Sequence, residues 1–192
     1  MIEILKSYDT QLLLYLNGLG TESWDSLWVF ITNKYSSIPL YLLLIFLLVK
    51  KCGKCIWVFL AMVCLKITAT DQTANLFKNG IARFRPCHEP GVQDALRDIA
   101  NYGCPSKYGY FSGHASNSMA VAIFFILCLS MKKGPAFLLL LWVFFVSYSR
   151  IYLGVHYPLD VLSGWIVGGL YGYLFARFGG YILNYFKKSE TK

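Results

Sequence analysis

Apolar residues in this chain come in blocks separated by short polar gaps, and most blocks are long enough to cross a hydrocarbon layer. The first block, Ile2 to Leu19, carries Glu3, Lys6 and Asp9 near its start, which predicts an amphipathic helix lying in the membrane interface rather than crossing it. WDSLWVFIT (Trp24 to Thr32) is too short to cross alone, and its tryptophans suit headgroup depth. Five spans are expected after it. They are Ser36 to Val49, with Pro39 tolerated near the start, Ile56 into the 70s, Ser112 to Met131, Pro135 to Tyr148, and Leu159 to Tyr185. The second turns polar toward its end, KITATDQTANLFKNGIARFRP, and a polar loop over 86–110 follows it.

The pattern predicts an all-α, polytopic integral membrane helix bundle of about five transmembrane helices with N-terminal interfacial helices. The expected boundaries are 1–33 for the interfacial helices, 34–188 for the transmembrane domain and 189–192 for a cytoplasmic tail. The start has no basic head and no small-residue cleavage site, so no cleavable leader is expected. No repeat or low-complexity segment stands out.

Composition agrees with the pattern: 56% of residues are hydrophobic, 17% aromatic and only 15% charged, a balance that excludes an ordinary soluble domain. The net charge of +8 does not point to nucleic acid, because the basic residues sit in short loops beside apolar runs. Lys50, Lys51, Lys54, Lys132, Lys133, Lys187, Lys188 and Lys192 all fall on one face, which the positive-inside rule makes cytoplasmic. Counting spans from there brings three polar clusters together on the opposite face of a cytoplasmic membrane. They are Lys78 to Pro86, FSGH (Phe111 to His114) and SRIYLGVHYPLD (Ser149 to Asp160).

Those clusters contain the parts of a phosphate site. Lys78 and Arg85 are seven residues apart, on one face if helical, and Arg150 adds a third cation. Three cations at a membrane edge need an anion, and the guanidinium fork suits phosphate. Ser112 and Gly113 precede an apolar helix, whose free N-terminal amides point at an anion. Asp160, four residues after His156, can hold one imidazole nitrogen and leave the other free to attack. His114 can then protonate the leaving oxygen.

K-x6-RP, SGH and SR-x5-H-x3-D, in that order, resemble the three signature motifs of the type 2 phosphatidic acid phosphatase superfamily. The resemblance covers roughly 36 to 185 and implies a metal-independent, cofactor-free phosphatase acting through a phosphohistidine on His156. The superfamily usually has proline where this chain has Phe111, which implies an altered loop shape. The short chain and N-terminal helix resemble small bacterial undecaprenyl-pyrophosphate phosphatases, and also lipid A phosphatases. Undecaprenyl pyrophosphate is the favoured substrate. Lipid A phosphate at either position, phosphatidylglycerophosphate and phosphatidate are the alternatives, beside a lipid phosphotransferase and, without catalysis, a lipid-phosphate carrier. A haloperoxidase would need bound vanadate, and the spans suit a lipid better.

Other features have plainer readings. Asp71, in the second span, is expected to neutralise Lys78 or another cation. Arg83 lies off the Lys78–Arg85 face, with headgroup binding and simple interfacial placement equally balanced. Cys52 and Cys55 lack further zinc ligands and a redox context and read as a reduced pair. Cys87 and Cys104, in the outer loop, are expected to form a disulfide in an oxidising compartment. In that loop His88, Glu89, Arg97 and Lys107 are headgroup candidates, though solvated loop charge is the commoner explanation. Gly164, Gly168 and Gly172 recur every four residues, which predicts close helix packing within the chain or between two copies.

Overall fold

The computed structural model describes residues 2–99 and 102–190. Its helices are α1 (Ile2–Gly18), α2 (Glu22–Thr32), α3 (Ile38–Cys52), α4 (Ile56–Ile81), α5 (Gly113–Leu129), α6 (Lys133–Tyr152) and α7 (Pro158–Glu190), joined by short loops and single 3-10 turns. Four stretches are long and apolar enough to cross a membrane: Lys34–Cys52, Ile56–Ile81, Lys133–Tyr152 and Pro158–Tyr185. The remaining expected span is α5, whose 17 residues sit at the lower limit for crossing. It is sheltered among α4, α6 and α7, and Ala115, Ala120, Ala122 and Phe124 are wholly buried. Trp57, Leu76, Phe137, Leu138 and Ile166 point outward and are well exposed, as hydrocarbon-facing residues of a bundle should be.

Local chemistry sets the helix ends. Pro39 falls in the first turn of α3, where a missing N–H costs nothing, and Gly53 ends that helix at φ 54°. The Ser112 hydroxyl caps α5 by accepting from the Ala115 amide at 3.4 Å. α6 runs on past the expected Tyr148 to Tyr152, so Ser149 and Arg150 belong to its last turn.

The glycine stripe on α7 packs against α5 within the chain. A Cβ at Gly164 would stand 2.7 Å from the Ser112 carbonyl oxygen and one at Gly172 2.6 Å from that of Ala120, while one at Gly168 would collide with the Ser116 carbonyl. The N-terminal ends of these two helices are also tied by a hydrogen bond of 3.0 Å from the Ser112 amide to the Asp160 carbonyl. Toward the other end an apolar core of Leu44, Leu48, Phe59, Met62, Phe124, Phe125 and Val143 fills the bundle.

α1 and α2 pack onto the half of the bundle where α6 ends and α7 begins. Asn17 Nδ2 donates to the Tyr152 carbonyl at 2.6 Å, Leu13 is fully buried, and Trp28 stacks on Tyr152 with ring centres 5.2 Å apart. The 86–110 loop is closed by a Cys87–Cys104 disulfide with Cα atoms 6.0 Å apart.

Candidate active site

α4 ends at Ala82, whose left-handed backbone (φ 50°) turns the chain out of the helix. The next residues pair with the far side of the loop: Arg85 N donates to Lys107 O and Gly109 N to Arg83 O, each at 3.0 Å. This short ladder holds Arg85 inward. Its Nε donates to Ser106 O at 2.7 Å and its Nη1 to Val155 O at 3.0 Å. Gly109 leaves room for it, since a Cβ there would meet Arg85 Cγ at 2.8 Å.

Lys78, Arg85, Gly113, His114, Arg150 and His156 converge on one cavity of about 390 Å³, shared with Val29, Thr32, Asn33, Tyr102 and Pro105. It therefore collects all three predicted cations and both predicted histidines, and no Asp or Glu is among its lining residues. Such a wall suits a multiply charged anion. Arg150, almost fully buried, donates through Nη1 to Thr32 Oγ1 and, at 2.7 Å, to Tyr102 Oη. Lys78 Nζ lies beside Gly113, 3.9 Å from where a Cβ would stand.

His156 sits in the corner between α6 and α7 and is 2% exposed. Arg85 Nη1 lies 2.7 Å from its Nε2, and Asp160 Oδ2 lies 3.5 Å from its Nδ1. Burial, and then the positive charges of Arg85, Arg150, Lys78 and Arg83, hold the imidazole pKa well below its ordinary value, so the ring is neutral near pH 7. Arg85 is itself lowered to about 10 by burial and by Arg150, and it remains a cation.

Two expectations are corrected here, and a third is refined. The Ser112 amide does not face the cavity; the Asp160 carbonyl takes it, which leaves the anion-facing amides to the residues that follow the cap. Asp160 faces His156 Nδ1 at a distance too long for a hydrogen bond, because its carboxylate already accepts from Arg83 Nη1 (2.8 Å) and from Tyr157 N (3.0 Å). Asp71 makes no ion pair with Lys78, but its charge acts on that ammonium from farther off, while its Oδ1 accepts from Asn117 Nδ2 at 2.6 Å.

Arg83 is neither a headgroup contact nor a loose interfacial charge. Its Nη2 binds Asp9 Oδ2 at 2.7 Å while its Nη1 binds Asp160, and Asp9 Oδ1 accepts from Leu159 N at 2.9 Å. The loop charges also lie elsewhere. His88 contacts the Pro105 carbonyl, Arg97 pairs with Asp25, and Lys107 lies over the Phe84 ring. Thr32, Asn33 and Tyr102 were not anticipated in the cavity wall. The only sequence signal for them was the polar TN pair that ends the α2 segment.

A buried imidazole among cations, on a bundle of helices long and apolar enough to cross a membrane, fits a membrane lipid phosphatase, and the family match makes it one. The chain belongs to the PAP2 superfamily, whose family model matches residues 40–183. It is 38% identical over 180 residues to a lipid A 4'-phosphatase of Bacteroides thetaiotaomicron, covering 91% of this chain and 78% of that protein. It is 32% identical over 186 residues to the lipid A 4'-phosphatase of Porphyromonas gingivalis, covering 92% and 77%. The fold is similar to the crystal structure of a PAP2-type phosphatidylglycerolphosphate phosphatase from Bacillus subtilis, with TM-score 0.71 and 22% identity over 93% of this chain and 88% of that one.

Proposed function

We propose that the protein removes a phosphate monoester from a lipid A-type phosphorylated glycolipid, at the outer face of the cytoplasmic membrane, through a phosphohistidine on His156. The observation that carries the reaction is the buried His156 ring, with its Nε2 2.7 Å from Arg85 Nη1, in a cavity walled by cations. The substrate class rests on the two relatives that match nearly the whole chain. It displaces undecaprenyl pyrophosphate, which remains the second reading because the cavity suits any lipid phosphate.

Substrate phosphate oxygens take over the donors of Lys78, Arg85 and Arg150 and the amides of Gly113 and His114. Arg85 then leaves Nε2 for an oxygen, and Nε2 attacks phosphorus in line. The monoester enters as its monoanion and passes its proton to His114; the P–O bond to the lipid then breaks and His114 returns that proton to the departing oxygen. Asp160 steadies the positive ring from the Nδ1 side. Water, deprotonated by His114, then cleaves the P–N bond and releases phosphate.

The test is phosphate release in detergent from lipid A, undecaprenyl pyrophosphate and phosphatidylglycerophosphate, with excess EDTA and with His156→Ala. Lipid A is expected to be cleaved fastest, EDTA to have no effect, and the variant to fold but to be inactive. Turnover by His156→Ala would sink the mechanism. Faster cleavage of the pyrophosphate would sink the substrate assignment.

A further inference from the structure

We infer, on the phosphatase reading above, that Asp71 and Asn117 form a second recognition point for the substrate. They bind a hydroxyl or amide N–H of the lipid about 10 Å deeper in the membrane than the phosphate.

A groove of about 500 Å³ continues the phosphate cavity down between the helices, and Lys78, Gly113 and His114 line both. Its two walls are graded in step. α4 presents Lys78, Asp71, Ile67 and Val63, at helical spacing on one face. α5 opposes it with His114, Asn117, Val121 and Phe125. The groove is therefore cationic at the top, polar at one intermediate level and apolar below, where Tyr41 and Trp142 reach it. Seven helical residues separate Lys78 from Asp71, a drop of about 10 Å.

The intermediate level is built rather than incidental. Asn117 Nδ2 donates to Asp71 Oδ1 at 2.6 Å, and Asn117 Oδ1 accepts from Thr70 Oγ1 at 2.6 Å. The carboxylate can only accept, so the Asp71 contact fixes which way the amide points. Asp71 has no cation within ion-pair distance among the described residues, and its Oδ2 makes none of these bonds. Asp71 is exposed toward the groove, and at this depth in a membrane an open carboxylate oxygen is costly unless a donor reaches it.

The chemistry selects among lipids. A phosphorylated sugar bearing hydroxyls and amide-linked chains has donors at this distance from its phosphate. A polyprenyl diphosphate offers a second anion, which Asp71 repels, and then hydrocarbon. Phosphatidylglycerophosphate has one hydroxyl close beside its terminal phosphate and then a second anion, which Asp71 repels, and the diacylglycerol beyond offers only ester acceptors. The occupant is therefore a phosphorylated glycolipid with N–H or O–H groups below the scissile phosphate.

The experiment compares wild type, Asp71→Leu, Asp71→Asn and Asn117→Ala on lipid A and on p-nitrophenyl phosphate, which occupies the cavity without reaching the groove. Asp71→Leu is expected to lower kcat/KM on lipid A by about ten- to a hundredfold, the range for losing a hydrogen bond to a charged acceptor. Asp71→Asn and Asn117→Ala should lose less, in the same direction, and all variants should keep wild-type turnover of the aryl phosphate. An equal loss on both substrates would make the pair merely structural and overturn the inference, as would no loss on either. Wild-type protein that cleaves the aryl phosphate but not lipid A would overturn the glycolipid assignment itself, a result distinct from an active wild type with insensitive variants.

Discussion

Arg83 Nη1 lies 2.8 Å from Asp160 Oδ1, and the other arm of the same guanidinium holds Asp9 Oδ2 at 2.7 Å. One side chain thus joins α1 to the start of α7, directly behind His156. Both carboxylates are essentially inaccessible, at 1% and 0% side-chain exposure, so neither has water to fall back on. Arg83→Ala should destabilise the protein by about 3–5 kcal/mol, the usual cost of breaking a buried pair from one side. It should also lower kcat more than it raises KM, because Asp160 loses its orientation. Asp9→Ala should do the same more weakly, although Asp9 lines no part of the cavity. Thermal unfolding and kinetics of both single variants and the double variant provide the check. Strictly additive effects would show that no clamp exists.

The second expectation concerns protons. The His156 pKa is depressed in the folded protein, chiefly by burial, whereas in the unfolded chain it lies near 6.5. Between those values the unfolded state binds more protons than the folded one. This contribution to stability is therefore present above pH 6.5 and is lost as pH falls through and below it. The nucleophile also stays neutral through mildly acidic pH. In protein carrying ¹³C-labelled histidine, the ring signal that disappears in His156→Gln should show no titration midpoint near 6.5. A midpoint there would contradict the buried, cation-flanked ring.

Much of this site is legible from spacing alone. Long apolar blocks and lysine-bearing loops place Lys78, His114 and His156 at one membrane face before any contact is known. What periodicity misses are contacts across the packing. Arg83 reads as a loose charge because its partner Asp9 is 74 residues earlier on another helix. Asp71 reads as a counterion to Lys78 because seven residues bring two side chains to one face; its charge does act on Lys78, but a rise of about 10 Å along the axis keeps the two from a direct ion pair. Its partner lies on α5, where nothing in the sequence singles out Asn117. The Ser112 amide follows the general rule for helix N-termini until α7 supplies the Asp160 carbonyl.

The disulfide bears on the same cavity. Cys87 and Cys104 close a loop that returns at Ser106 and Lys107, whose carbonyls accept from Arg85 side chain and backbone. Cys87→Ser with Cys104→Ser should cost about 3 kcal/mol, as expected for a loop of this length. It should raise KM for the phosphate substrate as Arg85 loosens. Peptide mapping without reductant should find the two cysteines linked, while Cys52 and Cys55 remain alkylatable. Free thiols at 87 and 104 in protein exported through an oxidising compartment would count against the staple.

The seam between α5 and α7 can be tested by two neighbouring glycines that make opposite demands. A methyl group at Gly168 would drive into the Ser116 carbonyl, backbone that has no flexible end to move aside. One at Gly169 would meet only Met119 Cγ, at an ordinary 3.8 Å. Gly168→Ala should therefore push the helices apart and destabilise the protein by about 1–3 kcal/mol, the cost of overpacking. Gly169→Ala should be neutral or slightly stabilising, since alanine is the better helix former. The seam also holds Ser112 against Asp160 where the two helices begin, so Gly168→Ala should reduce kcat as well, and Gly169→Ala should not. Detergent thermal melts of the pair decide the matter. Equal shifts would mean that the stripe responds to lost glycine flexibility in the helix rather than to close approach of α5.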